Sequence, residues 1–79
     1  MNQERKNELL AKIADKKQRI TGYQQNITKY SAMADEYSRR NDDEAKMVVY
    51  NARKLVEACI EAKGICESLI SEYEAELNK

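Results

Sequence analysis

Two cysteines are the most reactive side chains in the sequence. Cys59 and Cys66 are seven residues apart, a spacing that separates their Cα atoms by about 10.5 Å along a helix. A disulfide joins Cα atoms within about 7 Å, so the two thiols cannot bridge within one helix. Redox activity would need a thiolate stabilised by a nearby cation, and Lys16, expected opposite Cys66, is the candidate. We expect both cysteines to be inert core residues of a protein in a reducing compartment, the cytoplasm.

The other polar residues show no catalytic or metal-binding pattern. Histidine is absent, which removes the commonest acid–base group and metal ligand. Acidic pairs one helical turn apart, such as Glu57 and Glu61, are typical of a solvated helix face. Gly22 and Gly64 are isolated, so the chain has no Gly-rich phosphate loop. The sequence predicts that the protein is not an enzyme and uses no cofactor and no metal.

A basic cluster in the first half of the chain is a candidate contact for RNA. It comprises Lys12, Lys16, Lys17 and Arg19. No exposed aromatic residues are interleaved with it, and acidic residues of the second half are expected to face it. The net charge of zero gives no support to a polyanionic partner. An RNA-binding hairpin dimer is the alternative function, and charge matching within the chain is the simpler interpretation.

Two heptad seams predict the elements that position these side chains. The first comprises residues 6, 9, 13, 16, 20, 23, 27, 30, 34 and 37, and the second comprises residues 45, 48, 52, 55, 59, 62, 66, 69, 73 and 76. This spacing is typical of paired helices, and large residues face small or flexible ones when positions that sum to 82 are paired. The predicted layers are Tyr37 with Ala45, Tyr30 with Ala52, Ile27 with Leu55, Tyr23 with Cys59, Ile20 with Ala62, Ile13 with Leu69, Leu9 with Tyr73, and Lys6 with Glu76.

The seams predict an all-α fold, an antiparallel two-helix hairpin of the coiled-coil type. We expect a single domain of residues 1–79, with helix one over 3–39, the turn over 40–42 and helix two over 43–77. Asn41 can take the left-handed conformation that ends a helix, and Asn41 or Asp42 can cap helix two. The alternative is one continuous helix that pairs with a second copy and preserves every layer. The hairpin is favoured because Arg39 and Arg40 suit a helix end and Asp43 suits a helix start.

Charge is divided between the two halves of the chain. Residues 1–40 carry nine Lys/Arg and five Asp/Glu, and residues 41–79 carry five and nine. The halves therefore have opposite net charges of +4 and −4, and they attract each other when the chain folds back.

Helix two carries a further apolar stripe beside its seam. Together with one residue of helix one it forms what we call the apolar strip: Leu10, Val49, Val56, Ile60, Lys63, Ile70 and Leu77. We expect the strip to stay exposed when the hairpin closes and to bind a partner. A second copy would form a four-helix bundle, with Lys63 reaching Glu61 or Glu67 of the other chain; another protein is the other possibility.

These observations predict a non-enzymatic protein–protein interaction module, such as an adaptor, a small co-chaperone or an inhibitor. Its partner is expected to be itself, as a homodimer, or another protein, rather than nucleic acid. No apolar run reaches membrane-spanning length, so no membrane partner is expected. In architecture alone, the expected dimer resembles the small plasmid copy-number regulators that dimerise hairpins.

Overall fold

The computed structural model describes residues 2–79 as two antiparallel α-helices, α1 (Gln3–Tyr37) and α2 (Asp43–Leu77). The helices pack against each other, and the molecule is a rod of 60 × 14 × 13 Å. The predicted all-α antiparallel hairpin is confirmed, and the chain folds back on itself instead of forming one continuous helix. The predicted domain includes Met1, which lies outside the described residues.

Both helices begin with a side chain that caps the first turn. The Asn2 side chain accepts a hydrogen bond from the Arg5 backbone N–H at 2.7 Å, and Asp42 Oδ1 accepts one from the Ala45 N–H at 2.7 Å. Each cap satisfies a backbone donor that has no partner within its helix. Asp42, and not Asn41, is therefore the N-cap of α2.

The end of α1 differs from the sequence prediction. The helix ends at Tyr37, two residues before the expected Arg39. Beyond it the Arg39 N–H donates to the Glu36 carbonyl at 3.3 Å, and the Arg40 N–H donates to the Tyr37 carbonyl at 3.1 Å. These bonds tighten the last turn without any left-handed residue. No non-glycine residue among residues 2–79 has a positive φ, so Asn41 does not use the left-handed conformation that it could take.

The core of the hairpin is divided between its two ends. Four residues are buried near the termini, at what we call the open end: Leu9, Ile13, Cys66 and Ile70. Three alanines are buried near the loop, at the turn end: Ala34, Ala45 and Ala52. Between them, residues 16–30 and 53–65 form a middle segment in which every residue is half-buried or exposed. Leu9 is the only large side chain in residues 2–79 that is fully buried.

The α1 seam is arranged as predicted from Leu9 to Tyr37, where every seam position is buried or half-buried. Lys6 is exposed, and its predicted place opposite Glu76 is taken by Arg5. Arg5 Nε and Nη2 donate to the two Glu76 carboxylate oxygens at 2.9 and 3.0 Å. A planar guanidinium matches a carboxylate in this two-bond geometry, which an ammonium group cannot reproduce.

The α2 seam departs from the prediction in the middle segment. Leu55 is 45% exposed, whereas its neighbour Val56 is half-buried. An α-helix drifts by about 20° per heptad relative to a strict seven-residue repeat, so the buried face moves toward the next residue. Cys59 is also only half-buried, while Cys66 is buried. The expectation that both thiols lie in the core is therefore correct for Cys66 alone.

Candidate functional site

The apolar strip lies along one side of the hairpin, and the structure divides it into buried and exposed parts. Leu10 is 48% exposed and Ile60 is 56% exposed, whereas Val49, Val56 and Leu77 are half-buried. Ile70, predicted to be on the exposed strip, is instead buried at 9% exposure. The flank of α2 packs partly against α1, because α2 carries apolar residues on two adjacent stripes rather than one.

Lys63 interrupts the apolar residues of the strip, and its ammonium group forms a hydrogen bond within the chain. Its Nζ donates a hydrogen bond to Gln24 Oε1 of α1 at 2.8 Å, and the side chain is half-buried. This bond occupies the ammonium group that was expected to reach an acidic residue of a second chain. The stem of Lys63 thus covers apolar surface at the helix–helix boundary while its charged end holds α1.

A shallow furrow runs along the same side toward the turn. One part, of about 260 Å³, is lined by Ser31, Ala34, Asp35, Arg53, Val56 and Glu57. A second part, of about 280 Å³, is lined by Tyr37, Ser38, Arg40, Asn41, Lys46, Val49 and Arg53. Arg53 lines both parts, so the furrow follows the α1–α2 boundary beside the strip. Its valine and alanine floor lies between polar rims, the general arrangement of a protein-binding surface.

Beside the strip, α2 presents a row of exposed residues at intervals of seven. We call it the charged row: Lys46, Arg53, Ile60, Glu67 and Glu74. Within residues 2–79, no ion pair and no side-chain hydrogen bond involves any of its four charged members. The two basic residues lie on the turn side of Ile60, and the two acidic residues lie on the open-end side. Of this row, the sequence predicts Ile60 as part of the strip and Glu67 as a possible contact of Lys63 in a second copy, but it does not predict the row itself.

The basic cluster proposed for RNA contact is largely engaged with carboxylates of its own helix. Lys12 Nζ lies 3.1 Å from Glu8 Oε1 and 5.7 Å from the centre of the Tyr73 ring. The hydrogen bonds from Lys12 and then Arg5 hold the pKa of Glu8 below its ordinary value. Lys12 is therefore directed along α1 and across to α2 rather than toward open solvent.

Two further members of the basic cluster also lie beside a carboxylate of α1. Arg19 Nε lies 3.0 Å from Asp15 Oδ2, and Lys16 Nζ lies 3.4 Å from the same oxygen. The hydrogen bond from Arg19 is the main cause of the lowered pKa of Asp15. Lys17 is exposed, and it makes no ion pair in the part of the chain that the structure describes. Three of the four cations thus have a carboxylate beside them.

An open depression lies away from the strip, at the open end. It measures about 730 Å³ and is lined by Arg5, Glu72, Ala75, Glu76 and Lys79. The hydrogen bond from Arg5 is also the main cause of the lowered pKa of Glu76. Arg5 and Glu76 are already paired with each other, so we do not interpret this depression as a binding site.

Residues 2–79 contain neither a metal site nor a membrane-spanning helix. Within that range no set of three or more cysteine, aspartate or glutamate side chains is arranged to hold a metal ion. Neither helix, over the same residues, has a stretch long and apolar enough to cross a bilayer. Comparison with known proteins finds no matching family model, no matching curated protein and no matching solved structure.

Proposed function

We propose that the protein is a non-enzymatic protein–protein interaction module that binds through the apolar strip of α2. The observation that carries the proposal is the exposure of Ile60, 56% open to solvent beside half-buried Val56. Full burial of an aliphatic side chain of this size stabilises by about 1.5–3 kcal/mol. That is a large gain for a hairpin this small, whose own core supplies no more than about 3–5 kcal/mol.

The furrow beside Ile60 supports the same function. A partner that covers Ile60 also meets the valines of the furrow floor and the charged rim that includes Asp35, Arg53 and Glu57. Such a surface suits an adaptor, a small co-chaperone or an inhibitor, which act by occupying a surface rather than by chemistry. A cytoplasmic location is part of this proposal, supported by the two free cysteines.

The test replaces Ile60 or Val56 with aspartate and measures association. Ile60→Asp and Val56→Asp should abolish binding, because a carboxylate in a closed apolar interface loses its hydration without gaining a partner. Met47→Asp is the matched control, since Met47 is 61% exposed and lies outside the strip. Sedimentation measures self-association, and pull-down from the native host measures binding to other proteins.

The proposal fails if Ile60→Asp and Met47→Asp behave alike in both measurements. It also fails if the unchanged chain associates with nothing, since an interaction module must have an occupant. Circular dichroism on each variant checks that the helices remain formed, so that loss of binding is not loss of fold.

RNA binding by the basic cluster is the weaker candidate. Glu8 and Asp15 lie beside three of its four cations, and they reduce the positive field available to phosphates. RNA binding that weakens steeply with added salt, and falls on Lys17→Ala, would reverse this order of preference.

A further inference from the structure

We infer that the partner is a second copy of this chain, docked across a two-fold axis at Ile60 so that α2 lies antiparallel to α2 of the other copy. The inference rests on the proposed function and names its partner. It is carried by the symmetry of the charged row, by the position of the uncovered middle segment and by the total exposed area.

The charged row is complementary to its own reverse. In a two-fold interface, if residue i of one copy contacts residue j of the other, then j contacts i. Lys46 and Glu74 lie equally far from Ile60 on opposite sides, and so do Arg53 and Glu67. Antiparallel pairing about Ile60 therefore sets Lys46 against Glu74 and Arg53 against Glu67, each twice. Parallel pairing would set like charges against each other, so the row specifies the direction as well as the partner.

The four charges are free to make these pairs. None of them is engaged in an ion pair within residues 2–79, in contrast to nearby Lys54, which lies 3.7 Å from Glu57. All five members of the row are exposed, and the seven-residue spacing places them on one stripe of α2 that drifts by about 20° per heptad, or about 40° from Ile60 to either end. A second copy would use each of them without breaking any contact that the hairpin makes by itself.

The proposed axis passes through the part of the hairpin that its own packing covers least. The middle segment, which contains Ile60, has no buried residue. Gly64 lies one turn away, and a Cβ atom added there would meet nothing within 4 Å. A partner helix can therefore approach the α2 backbone closely at this point. On α1, Asp35 lines the furrow, and exposed Ala14, Thr21 and Thr28 precede it at intervals of seven residues. They therefore lie on the same side of the hairpin as the furrow, and their small side chains leave that side flat.

The exposed area of the hairpin fits an unpaired half of a dimer. The accessible surface is 5919 Å², whereas a compact monomer of 9.2 kDa exposes about 4,900 Å². The excess, about 1,000 Å², is close to the area of about 800 Å² that each partner buries in a stable interface. Two hairpins packed side by side would form a four-helix bundle of ordinary compactness.

The decisive experiment reverses the two halves of the row in separate chains. Chain one carries Lys46→Glu with Arg53→Glu, and chain two carries Glu67→Lys with Glu74→Lys. Each alone should dimerise on the order of 100-fold more weakly than the unchanged chain, because four charge pairs become repulsive. Mixed in equal amounts, they should form a heterodimer, since every pair across the axis is then complementary. Native mass spectrometry distinguishes the two homodimers from the mixed dimer.

Matched controls carry the same charge changes off the row. Lys29→Glu with Arg39→Glu, and Glu36→Lys with Glu72→Lys, alter exposed residues and give the same net charges as the test chains. Each control chain should dimerise by itself like the unchanged protein. If the controls also lose homodimers, net charge and not the row explains the result, and the inference is wrong.

A cross-link tests the axis directly. In a chain with Cys59→Ser and Cys66→Ser, the Ile60→Cys variant should form a disulfide with its own copy on mild oxidation, because Ile60 meets itself at the axis. The Met47→Cys variant in the same background should remain monomeric on a denaturing gel. Efficient cross-linking through position 47 and not through position 60 would overturn the register.

The outcomes separate this inference from the proposed function. A chain that sediments as a monomer at high micromolar concentration overturns self-pairing, while an Ile60-dependent complex with another protein would still support the interaction module. A dimer that tolerates Ile60→Asp overturns both. A dimer that is lost on Ile60→Asp but shows no preference for mixed chains retains the strip as the interface and overturns the two-fold register.

Discussion

The open end and the middle segment share one heptad pattern, yet they are packed very differently. At the open end Leu9 is fully buried, and Ile13 and Ile70 are nearly so. In the middle segment Leu55 is 45% exposed and Ile60 is 56% exposed. Both regions have seam residues at the same three- and four-residue spacing, so this spacing alone does not decide the depth of burial.

The flanking residues account for the difference. At the open end the flank of α2 is Ile70, which packs down beside the seam, and Arg5 and Glu76 close the layer with two hydrogen bonds. In the middle the corresponding flank consists of half-buried Val56 and of Lys63, which is bonded to Gln24. A polar flank keeps a water-accessible edge along the helix pair. Two helices form a closed core only where the residues beside the seam are apolar as well.

Truncation of leucine should show the largest contrast between the two regions. Leu9→Ala should destabilise the hairpin by about 2–5 kcal/mol, because it leaves a cavity in the best-packed layer. Leu55→Ala should cost about 1 kcal/mol, since much of that side chain is already in water. Urea denaturation followed by circular dichroism at one protein concentration measures both. Equal midpoint shifts would contradict the distinction between the two regions.

Enlargement of alanine should give the next largest contrast. Ala52 is 2% exposed, so Ala52→Leu should overpack its layer and cost about 1–3 kcal/mol. Ala62 is half-buried in the middle segment, where the added atoms can extend toward solvent, and Ala62→Leu should be close to neutral. The same denaturation measurement applies, and an unchanged midpoint for Ala52→Leu would show that the helices are paired in another register.

The two thiols report the same contrast by chemical reactivity. Cys66 is buried at the open end and Cys59 is half-buried in the middle. In the folded protein Cys66 should react about tenfold more slowly than Cys59 with a thiol reagent, and both should react quickly in denaturant. The single-cysteine variants Cys59→Ser and Cys66→Ser allow each rate to be measured separately. Faster modification of Cys66 would indicate that the open end is the less stable region.

Acid should weaken the open end by a small amount. Because Arg5 lowers the pKa of Glu76 from its ordinary value of 4.5, the folded state favours the ionised carboxylate. The resulting stabilisation is present above that ordinary value and is lost as the pH falls through the lower pKa of the folded state. Glu76→Gln should therefore reduce the loss of stability between about pH 6 and about pH 3. Glu36→Gln, at an exposed residue off the charged row and without an ion pair in residues 2–79, is the control, and an equal effect would assign the acid sensitivity to general charge.

The fold could be predicted from the sequence because its signals agree at several levels. The absence of proline indicates long helices, and the two seams with the acidic residues at the start of α2 indicate a hairpin. Asp42, one of the two cap candidates, caps α2. The errors involve adjacent residues: Arg5 bonds to Glu76 in place of Lys6, and Val56 is covered more than Leu55. One residue corresponds to about 100° of helix rotation, and small drifts from a 3.5-residue period choose between adjacent positions.

The candidate site was only partly predictable for the same reason. Ile60 and Leu10 are exposed as expected, whereas Ile70 is buried. Sequence spacing shows which residues lie on one stripe of a helix. How exposed that stripe is depends on how far the other helix extends across it. The charged row is distinguished by charges that form no ion pair within the hairpin. It could be recognised only once the structure showed which of the other charges are paired.

Both termini lie at the same end of the rod, next to the ion pair of Arg5 and Glu76, with the loop 60 Å away along the long axis. Tension applied between Asn2 and Lys79 would therefore peel the helices apart layer by layer instead of shearing them past each other. The first layers to meet that load are those of Leu9, Ile13 and Ile70, the most deeply buried large side chains in the hairpin. The molecule thus places its greatest mechanical resistance where a pulling force enters, and once those layers yield, the loosely covered middle should open with little further work.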